Sequence, residues 1–123
     1  MIKIGKNISR FSKHSYQPKT KKELIGIINS IVSESRSDKC DLNMIDTSLI
    51  TDMSYLFNYA EFNGDISRWN VSNVNNMVSM FNRAKFAGDI SKWKIREDCN
   101  TINMFIGSRI KEELKPNALS LSI

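Results

Sequence analysis

Between Met53 and Trp93 the apolar and polar positions follow one arrangement written twice. Residues 53–69 and 77–93 agree at ten of seventeen positions at a constant offset of 24, among them Phe57/Phe81, Phe62/Phe86, Gly64/Gly88, Asp65/Asp89 and Trp69/Trp93. A repeat of about 20–50 residues marks stacked units, each too small to bury its own apolar face. Within a unit, Val74, Met77, Met80 and Phe81 stand three and four apart, which predicts a short helix, opened by Ser72 or Asn73 as its cap. Gly-Asp-Ile-Ser-x-Trp predicts a short extended piece. The Met and Phe columns are expected to be core filler. Gly64 and Gly88 are expected to supply positive φ or close approach between units, and Ala60 and Ala84 to sit where neighbouring helices leave no room.

Outside the two full copies the pattern fades in both directions. Residues 41–48 keep Asp41, Leu42 and Ser48 in step with Asp65, Ile66 and Ser72, with Ile45 in the Trp69 position. Residues 94–115 form a degraded third copy in which Asp98 and Thr101 replace Val74 and Met77, so a register shift onto Cys99 and Ile102 is expected. Before the repeats, Thr20-Lys-Lys-Glu23 is a capping box. Leu24, Ile27, Ile28, Ile31 and Val32 then form one apolar stripe, predicting an amphipathic helix over 20–34 that caps the first unit. The alternating tail Leu119-Ser-Leu-Ser-Ile123 suggests one edge strand and, through it, a homodimer as the alternative to a monomer. The expected fold is therefore an α/β, short leucine-rich-repeat-like solenoid of two full and two partial repeats with an N-terminal capping helix. Residues 1–40 hold the basic N-terminal segment and cap, and 41–123 the repeats and C-terminal cap, in one compact domain.

The stretches Asp46-Thr-Ser-Leu-Ile-Thr-Asp-Met-Ser-Tyr-Leu-Phe57 and Gly64-Asp-Ile-Ser-Arg-Trp-Asn-Val-Ser-Asn-Val74 resemble the BspA-like leucine-rich-repeat family in its bacterial 25-residue "surface protein" form. The likeness covers roughly residues 41–108, and Lys19-Thr-Lys-Lys-Glu-Leu24 resembles the helix that precedes such repeats. It implies an α/β solenoid coil, a non-catalytic role and recognition of other macromolecules, and it carries over no catalytic residue.

Charge sharpens that expectation. The net charge is +5, but it is segmented. Residues 1–36 carry eight Lys/Arg against two acids (+6), 37–65 one against six (−5), 66–96 six against one (+5) and 97–123 three against four (−1). In stacked units Arg68 and Lys92 fall in one column, with Lys94 and Arg96 just beyond and Arg83 and Lys85 flanking the preceding loop. Like charges stacked this closely repel by a few tenths of a kcal/mol each, and an anionic partner relieves them. These six residues are the candidate partner-binding set. Lys3, Lys6, Arg10 and Lys13, interleaved with Phe11 and Tyr16, are a secondary basic patch suited to phosphate and stacking contacts.

Catalytic chemistry finds little footing. The chain has one histidine, His14, no phosphate-binding glycine loop, and in Asp65/Asp89 a carboxylate column with too few oxygens for calcium. Cys40 and Cys99 are expected to be free thiols, too isolated for zinc. No enzyme activity, metal or cofactor is expected. With no apolar run of membrane length and no secretory signal visible, the expected place is the cytoplasm. The expected function is a non-catalytic protein-binding module that occupies an acidic or nucleic-acid-bound protein surface; brevity and charge suggest a small inhibitor encoded on a mobile element in a bacterium or phage. Direct nucleic-acid binding through the N-terminus and the 66–96 patch is the alternative, and a truncated surface adhesin the weaker one.

Overall fold

The computed structural model describes residues 16–117. Lys3, Lys6, Arg10, Lys13 and the tail 118–123 lie outside them, so the secondary basic patch and the tail strand do too. The capping helix forms where the pattern places it. α1 spans Lys21–Ser35; the Glu23 N–H donates to Thr20 Oγ1, and Arg36 closes the helix in the left-handed conformation at φ 56°. The return half of the capping box reaches one residue further back than the motif prescribes, with Glu23 Oε1 accepting from the Lys19 N–H at 2.8 Å. Leu24 and Ile28 are buried, while Ile27, Ile31 and Val32 pack partly buried against the core of the first unit. Lys21 ties the helix down: its Nζ donates to Ser54 O and Oγ, both at 3.0 Å, and lies 3.5 Å from Asp52.

The α/β solenoid expected for the rest does not form. Over residues 16–116 α1 is the one α-helix, joined by a single 3-10 turn over Glu112–Leu114, and parallel pairing among the described residues is limited to isolated bridges with no sheet. The expected helix over Val74–Phe81 is absent. In its place each coil runs as consecutive four-residue turns, closed by Leu56 N–H to Met53 O and Ala60 N–H to Phe57 O, and again by Met80 to Met77 and Ala84 to Phe81. Tyr55, Tyr59, Ser79, Arg83, Asn103 and Gly107 sit at φ 54–65°, the left-handed value such turns require at their third residue. A left-handed residue every fourth position rules out an α-helix. A four-residue turn nonetheless returns Met53 and Phe57, or Met77 and Phe81, to the same side, which is why the apolar spacing mimics a helix.

What survives is the 24-residue period itself. The N–H groups of Met53, Tyr55, Phe57 and Tyr59 donate to the carbonyls of Asn76, Val78, Met80 and Asn82, and those of Met77, Ser79, Phe81 and Arg83 to Asn100, Ile102, Met104 and Ile106, at 2.7–3.0 Å. The bridges Asp41–Asp65, Asp52–Asn76 and Asn76–Asn100 keep the same offset. Successive coils over 41–64, 65–88 and 89–115 therefore stack in strict register. The third copy does not shift onto Ile102, which is 62% exposed; its carbonyl pairs in step with Ser79.

Inside the stack, identical side chains lie face to face. Phe57, Phe81 and Phe105 form a column with centroids 5.7 Å apart at each step, and Phe62 stacks on Phe86 at 6.3 Å. Met53, Met77, Met80, Ile66 and Ile90 are fully buried, as core filler should be. Gly64 meets the expected close approach, since a Cβ there would collide with the Cys40 carbonyl. The other expectation for that residue and Gly88, positive φ, belongs to Gly107 among the described glycines. Ala84 is buried, pressed by coils and not by helices. Cys40 and Cys99 are free and half-buried.

The left-handed positions make a direct prediction. Arg83 at φ 54° occupies the place that Gly107 fills one coil later. Relief of left-handed strain outweighs the extra chain entropy of glycine, so Arg83→Gly should raise stability by about 0.5–1 kcal/mol, read as a few degrees in the thermal midpoint.

Candidate functional site

The Asp-Ile-Ser-x-Trp segment builds the surface that carries the basic residues. Asp65 Oδ1 accepts from the Ser67 N–H at 2.9 Å and its hydroxyl at 2.7 Å; Asp89 holds Ser91 identically at 2.9 and 2.6 Å. Such Asx turns replace regular backbone pairing. The next turn closes from Trp69 N–H to Ile66 O and from Trp93 N–H to Ile90 O, which sends the indole inward and Arg68 or Lys92 outward. Each buried indole N–H donates one coil back, Trp69 to Leu42 O at 2.9 Å and Trp93 to Ile66 O at 3.0 Å. The two rings lie 6.5 Å apart and 6° from parallel. Buried Asn43 completes the frame by accepting from the Arg68 N–H at 2.8 Å.

Arg68, Lys92 and Lys94 consequently share one open groove of about 380 Å³, with Trp69 and Trp93 as its floor. All three are exposed. Among the described residues none of them has a carboxylate within ion-pair distance. The other three candidates do not join the groove. Lys85 pairs with Glu61 at 2.8 Å. Arg96 forms a two-pronged pair with Asp98, 2.8 Å on each prong. Arg83 stands in the Tyr59/Gly107 column, its Cγ against Gly107. A set of six that looks continuous in sequence is thus a cluster of three, two cations neutralised in place, and one on another face. Alignment of the half-copy carries no signal for Asn43, because it stands against Ser67, whose hydroxyl bonds within its own turn, whereas Asn43 reaches across to the next coil. The outward tyrosines Tyr55 and Tyr59, 56% and 64% exposed, gave no signal, since a helical reading of their stretch leaves them unplaced.

The carboxylates beside the groove are held ionised. The Ser67 hydroxyl and N–H, then Asn43, pull the Asp65 carboxyl below its ordinary value, with Arg68 adding attraction; the Ser91 hydroxyl and N–H do the same for Asp89, helped by Lys92. Burial presses Asp52 upward, but Ser54 and Lys21 outweigh it and leave it lowered. A group with a depressed folded pKa contributes stability that is present above its unfolded pKa and lost as pH falls through the folded one. Thermal midpoints should therefore hold near neutrality and fall as pH drops from about 5 toward 2. Asp65→Asn should flatten that fall, and unchanged steepness would show that the Asx column does not govern it.

Among the described residues, no helix is long and apolar enough to cross a membrane. Comparison with curated proteins gave no match, and neither did comparison with solved structures. Residues 27–115, from within α1 through the third coil, match the family described as Mycoplasma protein of unknown function, DUF285. That span takes in every element of the groove and most of the chain, and the protein belongs to this family.

Proposed function

We propose that the protein is a non-catalytic binding module, akin to the BspA-like repeat proteins, that acts in the cytoplasm by occupying an acidic patch on a partner protein. One observation supports the reading above the rest: Arg68, Lys92 and Lys94 converge on one groove, and among the described residues no carboxylate makes an ion pair with any of them, while Lys85 and Arg96 are already paired. Three cations without an ion-pair partner on a hydrogen-bonded frame form a preorganised docking point for anions, which lowers the ordering cost of association. The tryptophan floor is 4–5% exposed, too covered for bases to stack on it, which favours acidic side chains over single-stranded nucleic acid. A net charge of +5 in 123 residues also suits a small inhibitor of the kind carried on mobile elements.

The test uses immobilised poly-glutamate and a duplex DNA of random sequence. Wild-type protein should be retained on poly-glutamate, and the triple reversal Arg68→Glu, Lys92→Glu, Lys94→Glu should lose about ten-fold in affinity with its fold intact by circular dichroism. Equal retention of a folded triple variant removes the reading. Tighter binding to DNA that depends on residues 1–19 and falls steeply with salt transfers the function to nucleic acid.

A further inference from the structure

The last coil ends in an edge with an unusual polarity. Along residues 53–59 and 77–83 every coil-to-coil bond runs the same way, from an odd-numbered N–H to a carbonyl of the next coil. The third coil repeats the geometry with Thr101, Asn103, Phe105 and Gly107, yet among the described residues nothing accepts from these four N–H groups. Its carbonyls are already taken. Those of Asn100, Ile102, Met104 and Ile106 receive the second coil, and those of Thr101, Asn103 and Phe105 close turns onto Met104, Ile106 and Ser108. Apart from the Gly107 carbonyl, the edge between Thr101 and Gly107 therefore offers donors only. On the same end, Ile102 and Ile106 are 62% and 50% exposed. They hold the column positions of Val78 and Asn82, which are half-buried.

We propose that this edge is a docking strip for an extended peptide segment of a partner protein, laid parallel to residues 101–107. The peptide supplies main-chain carbonyls at every second residue to the four free N–H groups and lays apolar side chains on Ile102 and Ile106. Its geometry is that of the coil-to-coil ladder, continued by one step. The polarity decides against a second copy of this chain at the strip: two identical edges would face donor to donor. The opposite end of a second copy is no substitute, because α1 covers it and Lys21 already occupies the Ser54 carbonyl. This is strand addition to an exposed edge, with the direction set by a one-sided row of donors. It is independent of the basic groove, which lies on the tryptophan side.

The natural probe is the ladder's own occupant, a fluorescein-labelled synthetic peptide of residues 76–83, Asn-Met-Val-Ser-Met-Phe-Asn-Arg, against a scrambled control. Fluorescence anisotropy should show saturable binding of the ordered sequence alone. Ile102→Asp with Ile106→Asp, both surface positions, should weaken it at least about ten-fold while leaving circular dichroism and retention on poly-glutamate unchanged. Hydrogen exchange should show the amides of Thr101, Asn103, Phe105 and Gly107 fast in the peptide-free protein and slowed on binding. Equal binding of both peptides, no binding, or no effect of the double variant in a folded protein overturns the proposal. So does slow exchange of those four amides before peptide is added, which would mean that the chain's own residues beyond 117 fill the strip.

Discussion

Phe81→Ala is expected to cost about 3–5 kcal/mol, the range for emptying a fully buried aromatic site. Phe81 is the crossing point of the core. Its ring stacks on Phe57 and Phe105 at 5.7 Å, on Phe86 at 5.0 Å, and meets Trp93 at 6.2 Å. Its backbone is committed as well, donating to Met104 and accepting from Ala84, so little can move to close the void. A domain of this size holds about 5–15 kcal/mol in total; the variant should be mostly unfolded within a few degrees of physiological temperature. Phe105→Ala empties the column's last position, which is already 8% exposed, and should cost about half as much. Urea titration followed by the emission of Trp69 and Trp93 measures both. Equal losses at the two positions would mean that the aromatic column is not cooperative along the stack.

Gly64→Ala should be nearly as damaging, by a different mechanism. One methyl group placed at Gly64 overlaps the Cys40 carbonyl, and its next neighbour is the Phe62 ring at 2.6 Å. The carbonyl cannot yield without opening the Asp65-to-Cys40 and Leu42-to-Asp65 bonds that join the first two coils. Overpacking against rigid backbone costs about 3 kcal/mol or more. Gly88→Ala, at the same place one coil later, meets the Phe86 ring at 2.8 Å and the Gly64 carbonyl only at 3.2 Å. A ring can shift where a carbonyl cannot, so about 1–2 kcal/mol is expected there. The measurement is the difference in urea midpoint between the two alanine variants. A larger loss at Gly88 would show that the coils are spaced differently from this description.

The family signal and the site differ in how much of each the chain displays openly. Ten matches at one offset declared stacked units, the Thr20–Glu23 box declared α1 within one residue, and Trp69 and Trp93 were bound to share an environment once the offset was known. Arg68 and Lys92 followed into one column for the same reason. Membership of that column says nothing about where opposite charge lies, though. Lys85 finds Glu61 because the two stand 24 residues apart in one column, and Arg96 finds Asp98 two residues further on; the side-chain geometry of the folded chain decides that these two pair while the other three stay free of ion pairs.

By itself the sequence determined the period, the cap, the identity of the buried columns and the registry of like on like. Each of these is a matter of which side chains must leave water and how often they recur. Conformation within the repeat was another matter. Met77 and Phe81 four residues apart satisfy an α-helix and a pair of four-residue turns equally well, and no local preference marks Tyr55 or Arg83 for a left-handed backbone. The neighbouring coil decides it: an N–H that reaches a carbonyl in the next coil at 2.7–3.0 Å is no longer available to a carbonyl four residues back. Eight such bonds across two steps, made together, outweigh the strain of the left-handed residues, and that sum exists only once the coils are stacked.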